Sequence, residues 1–113
     1  MALLRLHHGT DLQSANDIVR NGLDAVKAAS YNGSGEFWAS SEIGTADWFA
    51  RTNPSNGQPA RISFDIEESV LQQLCSAQPS VVFAHGPNDY EFQSTCFPHL
   101  NQAMKNKKVE LVT

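Results

Sequence analysis

Between Arg61 and Ile66 the apolar residues Ile62, Phe64 and Ile66 alternate with Arg61, Ser63 and Asp65. Strict period-two alternation with branched and aromatic side chains on one side describes a strand covered on one face and wet on the other. Leu4, Leu6 and His8 alternate with Leu3, Arg5 and His7 in the same way, so a second such strand is expected at the N-terminus. If Leu4 and Leu6 face the core, His8 shares their face and His7 points away. The covering layer is readable in three helical stripes. Leu12, Ala15, Ile18 and Val19 follow a capping Asp11 or Ser14 and end at Asn21-Gly22. Ile43, Ala46, Phe49 and Ala50 follow Ser40-Ser41-Glu42, and Val70, Leu71 and Leu74 follow Glu67-Glu68-Ser69.

Shorter strands are expected over 37–39, 81–83, 90–94 and 109–112, and Pro98 reads as the first turn of a short helix. Residues 24–35 and 52–59 read as loops, and His85-Gly86-Pro87-Asn88-Asp89 as a turn. Strands and helices mix without regular alternation, which predicts an α+β fold rather than a doubly wound parallel sheet. A chain of 113 residues has room for one core, so a single domain over 1–113 is expected.

Eight basic against twelve acidic residues leave a net charge of −4, which argues against broad binding to a phosphate backbone. Cys75 and Cys96 are the only cysteines and form no CxxC motif, pointing to a reducing compartment or at most one bridge. No apolar run approaches membrane-spanning length and the first residues turn polar quickly, so a cytoplasmic location is expected, with no membrane partner. No metal site is expected from His7, His8, His85 and His99. Gly-x-Ser-x-Gly is absent and neither cysteine adjoins a histidine in sequence, which disfavours nucleophilic hydrolysis.

Three segments carry possible chemistry: His8-Gly9-Thr10 at a strand end, Gly33-Ser34-Gly35-Glu36-Phe37-Trp38 before a helix, and Glu91 between Tyr90 and Phe92. Each has an ordinary reading alone. A strand-end histidine is commonly a satisfied core group, Phe37, Trp38 and Trp48 could be core aromatics, and Glu91 could line the wet face of an edge strand. His85-Gly86 reads as loop, Asp89 as a turn residue and His99 as surface.

Taken in order, the segments resemble the ADP-ribosyltransferase superfamily, in the branch defined by His, Tyr and Glu. The resemblance runs through His8-Gly9-Thr10, Ile18, Gly22-Leu23, Gly33-x-Gly35-x-Phe37-Trp38-Ala39, Thr45-Ala46-Asp47-Trp48 and Tyr90-Glu91-Phe92, covering nearly the whole chain. Phe37 and Trp48 stand where that branch usually has tyrosines, which keeps a flat ring and loses the phenol at Phe37.

The resemblance implies a split β-sheet with flanking helices and a cleft for NAD, used as a substrate, between the halves. It implies transfer of ADP-ribose to an unidentified acceptor, protein or nucleic acid, or to water, as in small toxins and effectors. Glu91 would be catalytic, stabilising positive charge at the anomeric carbon. His8 would hold a ribose hydroxyl, and the Gly9 backbone the nicotinamide carboxamide. Phe37 and Trp48 would sandwich the ring, with Thr10 and Gly35 at the same site. Asp89 is a minor candidate for positioning the acceptor. The alternative is a catalytically inactive NAD- or ADP-ribose-binding module, or a protein-interaction module. Removal of an RNA 2′-phosphate fits less well, because Arg5, Arg20, Arg51 and Arg61 are scattered.

Overall fold

The computed structural model describes residues 2–27, 36–52 and 57–113. The two alternating segments pair with each other. Strand β1 (Leu3–Asp11) lies antiparallel to β3 (Pro59–Glu67) along its full length, from Leu3 opposite Glu67 to Asp11 opposite Pro59. Opposed residues share a face, so Leu4, Leu6, His8 and Thr10 line up with Ile66, Phe64, Ile62 and Ala60. Strand β6 (Lys105–Leu111) continues the sheet outside β3, with a register shift between Ser63 and Asp65. On the other side of β1 come β2 (Phe37–Ser40), β5 (Asp89–Phe92) and β4 (Val82–His85). The order is β4-β5-β2-β1-β3-β6, every pair antiparallel.

Among the described residues, four α-helices complete an α+β domain: α1 (Leu12–Asn21), α2 (Ile43–Thr52), α3 (Glu68–Ser76) and α4 (Phe97–Ala103). Helix α1 starts where expected, because the Asp11 carboxylate accepts from the Ser14 backbone N–H at 2.8 Å and from the Ser14 hydroxyl at 3.0 Å. It stops at Gly22, whose φ of 80° suits glycine and whose N–H reaches the Ile18 carbonyl. Ala15 and Ile18 of α1, Leu71 and Leu74 of α3, and Phe97 and Leu100 of α4 join the apolar sheet face around Leu6, Phe37, Phe64 and Phe92. Asn101 of α4 clamps the end of α1, accepting from Leu23 N–H at 2.8 Å and donating to Leu23 carbonyl at 2.9 Å.

Helix α2 sits on the opposite face, and Gly9 admits it. A Cβ at Gly9 would lie 1.8 Å from the Ala46 carbonyl oxygen and 2.7 Å from the Ala50 nitrogen. That proximity selects alanines for the contact and changes the expected stripe. Ala46 and Ala50 are buried, whereas Ile43 and Phe49 are 47% and 48% exposed. Asp47 pairs with Arg61 at 2.6 Å, and the Ser40 hydroxyl accepts from Glu42 N–H at the helix entrance.

Several boundaries differ from the sequence reading: β1 runs on through Gly9 and Thr10 to Asp11, and β5 ends at Phe92, with Ser94 opening a 3-10 turn rather than closing the strand. Strand β6 begins at Lys105 rather than Val109, because its first residues are lysines and asparagine at an edge and carry no apolar period. Strand β4 runs through His85, so the turn begins only at Gly86, with φ of 79°.

Between β1 and β2 the pairing is a single position, His7 opposite Ser40. Beyond it, His8 to Asp11 pair with β3 alone among the described residues. The six strands thus form two three-stranded halves joined at one rung.

Candidate functional site

His8 sits just past that rung, 3% exposed on the apolar face, with its ring stacked on Phe37 at 4.2 Å between centroids. Its Nδ1 bonds the Trp38 carbonyl, which can only accept, so Nδ1 carries the proton. Burial drives its pKa down to about 4 against the opposing pull of that bond, so the ring is neutral at pH 7. Nε2 is left as a bare acceptor, buried with no hydrogen-bond partner among the described residues. Two residues on and on the same face, the Thr10 hydroxyl is likewise buried without a partner among the described residues. Unpartnered buried polar atoms are uncommon, because each costs roughly 1–3 kcal/mol. Here two adjoin the place where the halves part.

His7 turns to the other face, as the alternation predicts. Its Nδ1 lies 2.6 Å from the Ser63 hydroxyl, and burial, then Arg61 and Arg5, hold its pKa below the usual histidine range.

Glu91 occupies a different environment. Strand β5 puts it opposite Trp38 of β2 and Phe83 of β4, and Ser40 on that β2 face opposes His7. Glu91 therefore shares the face of His7 and Trp38, opposite to that of His8 and Phe37. Its Oε1 lies 2.9 Å from His85 Nε2, and its Oε2 accepts from the Gln93 amide at 2.5 Å. The indole of Trp38 packs on the His85 ring at 4.7 Å, tilted 32°.

The expected residues thus fall into separate groups. His8, Thr10 and Phe37 are together on the buried face, with Phe37 fully buried beneath the imidazole. Gly9 is beside them, and its missing side chain has a packing reason, the seat of α2. Trp48 lies on α2, 57% exposed and edge-on to Phe49 at 5.1 Å, not stacked opposite Phe37. Gly35 lies outside the described residues. Asp89 begins β5 opposite Ser40 and His85.

Trp38, His85 and Gln93 were not singled out in the sequence as companions of Glu91. The alternation of β2 could have separated Trp38 from Phe37. A histidine six residues before the glutamate, across Gly86-Pro87, is the spacing of a hairpin diagonal.

Among the described residues no group of three His, Cys, Asp or Glu could hold a metal ion, and no helix is long and apolar enough to cross a membrane. Cys75 and Cys96 are free thiols, and burial pushes Cys96 up to about 11. No family model, curated protein or solved structure matches the chain.

Proposed function

We propose that the domain binds NAD where β1 parts from β2 and transfers its ADP-ribose to an acceptor or to water. One observation carries this reading: two buried atoms without a partner among the described residues, a bare imidazole nitrogen at His8 and a hydroxyl at Thr10, flank Gly9 at the rung where the sheet opens. A ribose fits that pair chemically. One of its hydroxyls can donate to the bare Nε2, and a second can exchange a bond with the Thr10 hydroxyl, removing the cost both atoms carry.

The strand order supports the same reading. The segments around residues 8, 37 and 91 are remote in sequence and occupy three consecutive strands, β1, β2 and β5. Glu91 is two strands from His8, about 10 Å across the sheet at the usual strand spacing. A dinucleotide has one ribose for each, provided it passes through the parting from one face to the other. At the nicotinamide ribose, the Glu91 carboxylate would hold a hydroxyl and stabilise positive charge at the anomeric carbon as the bond to nicotinamide breaks. Each of its oxygens accepts one described bond and has capacity for another. In this arrangement Trp38, rather than Phe37, is the flat ring beside Glu91.

A second reading, binding without transfer, is favoured by the opposite faces of His8 and Glu91. Calorimetric titration with NAD and an assay for released nicotinamide separate the two. Transfer predicts binding and release, with release falling at least tenfold in Glu91→Gln. Binding without release would leave only the second reading, and no binding would overturn both.

A further inference from the structure

The hairpin β4–β5 assembles a group of side chains that the nucleotide reading leaves unused. His85 and Glu91 lie diagonally across the hairpin on one face, with Nε2 and Oε1 2.9 Å apart. A carboxylate only accepts, so Nε2 is the donor, and in the neutral ring the proton is therefore on Nε2 and Nδ1 is bare. Trp38 backs the ring at 4.7 Å, and Gln93 fixes the far carboxylate oxygen. The side chain of His85 is nevertheless 46% exposed, against 18% for Glu91. An imidazole whose tautomer is set by a carboxylate, whose ring is backed by an indole and whose side chain is nearly half exposed has the arrangement of a general base.

We infer that His85 is the group that takes the proton from the acceptor. The inference rests on the transfer reading above. The acceptor, a hydroxyl-bearing molecule or water, attacks the anomeric carbon of the nicotinamide ribose. The bond from its oxygen to that carbon forms while the bond from carbon to the nicotinamide nitrogen breaks, and that electron pair neutralises the departing ring. The acceptor's proton passes to His85 Nδ1 and then to solvent. Charge and atoms balance with no further reactant: NAD and the acceptor give the ADP-ribosylated acceptor, neutral nicotinamide and one proton. Glu91 then does two things at once, holding the ribose and orienting the imidazole. This explains why both of its oxygens are engaged by side chains able to donate. A surface-exposed ion pair alone would need neither the indole backing nor the second donor, and would contribute little to stability.

The test uses the intact chain and NAD, with water as acceptor, following nicotinamide release. His85→Gln is expected to lower kcat about 100-fold, within the usual range for a general base, while KM for NAD stays within about threefold. Added imidazole is expected to restore part of the loss in His85→Ala and to do nothing for Glu91→Gln. Nitrogen-15 spectra of the free protein are expected to report the Nε2-protonated tautomer at His85, with the hydrogen-bonded character of its Nε2–H lost in Glu91→Ala, which removes the acceptor. Wild-type turnover with an unchanged His85→Gln would overturn the role of His85 and leave the transfer reading standing. A different tautomer in the folded wild type would overturn the His85 role whatever the outcome with NAD. Absence of wild-type turnover would overturn both.

Discussion

Replacing Gly9 with alanine separates two duties of the His8-Gly9-Thr10 segment, because the cost of the added methyl can be worked from geometry. The new carbon would lie 1.8 Å from the Ala46 carbonyl oxygen, 2.7 Å from the Ala50 nitrogen and 2.9 Å from the Ala46 carbonyl carbon. All three are backbone atoms of one helix, so no rotamer change relieves the overlap. Helix α2 would have to retreat by about 1.5 Å, well beyond the 0.5–1 Å gap that already forfeits a quarter to a half of a dispersion contact. Ala46 and Ala50, each 2% exposed, would lose their seat on β1. Overpacking of a core typically costs 1–3 kcal/mol, and a rigid backbone obstacle belongs at the upper end, about 3 kcal/mol. For a chain of this size that corresponds to a fall in Tm of about 10 °C or more, measured by circular dichroism or calorimetry. Ala46→Gly should not rescue it, since the obstacle is a carbonyl and not a methyl. Gly44→Ala in the same helix is the control. A Cβ there meets nothing within 4 Å, so it should be neutral or add roughly 0.5–1 kcal/mol. A Gly9→Ala protein melting within 2–3 °C of wild type, well inside the shift worked above, would refute the seating of α2 on β1.

Stability should also depend on His8. Its folded pKa of about 4 lies below the unfolded 6.5, so the unfolded chain binds more protons between those values. The contribution is fully present above pH 6.5 and is lost as pH falls toward 4, amounting to about 3 kcal/mol. Urea titrations at pH 7 and pH 4.5 should show a loss in wild type that is smaller in His8→Gln, and parallel losses would refute it. Asp11→Ala removes the α1 cap and should cost about 1 kcal/mol in urea unfolding, with Asp11→Asn retaining most of it. Asn101→Ala breaks both bonds to Leu23 and should cost about 1–3 kcal/mol, read in the same assay.

The parts of the fold that could be read in the sequence are those where one local rule acts alone. Strand β3 is apolar on alternate residues because one face meets the apolar core while the other carries polar partners, and α1 is bracketed by Asp11 and Gly22. Strand β6 hides its first residues because Lys105, Asn106, Lys107 and Lys108 carry no apolar period to declare it. The stripe of α2 misleads for a non-local reason. Hydropathy ranks Phe49 above alanine, but the approach to Gly9, some 40 residues away, admits only alanine. The candidate site divides along the same line. That His8 faces the core follows from Leu4 and Leu6. That Glu91 faces Trp38 rather than Phe37 depends on the β2–β5 register, which no single segment encodes.

The single rung between β1 and β2 has a consequence for how the chain reaches this state. The half containing β1, β3 and β6 and the half containing β2, β4 and β5 are each built from segments that alternate along the sequence. The chain crosses the seam going from β1 to β2, from β2 to β3, from β3 to β4 and again from β5 to β6. Neither half is a contiguous stretch that could be excised or could mature first. The longest ladder, β1 with β3, closes a loop that contains all of β2 and α2. Such interlacing raises contact order, which slows folding relative to helical domains of similar size. Two halves that share one rung of hydrogen bonds are therefore committed to each other by connectivity, and their separation is a local opening rather than a route to two independent folding units.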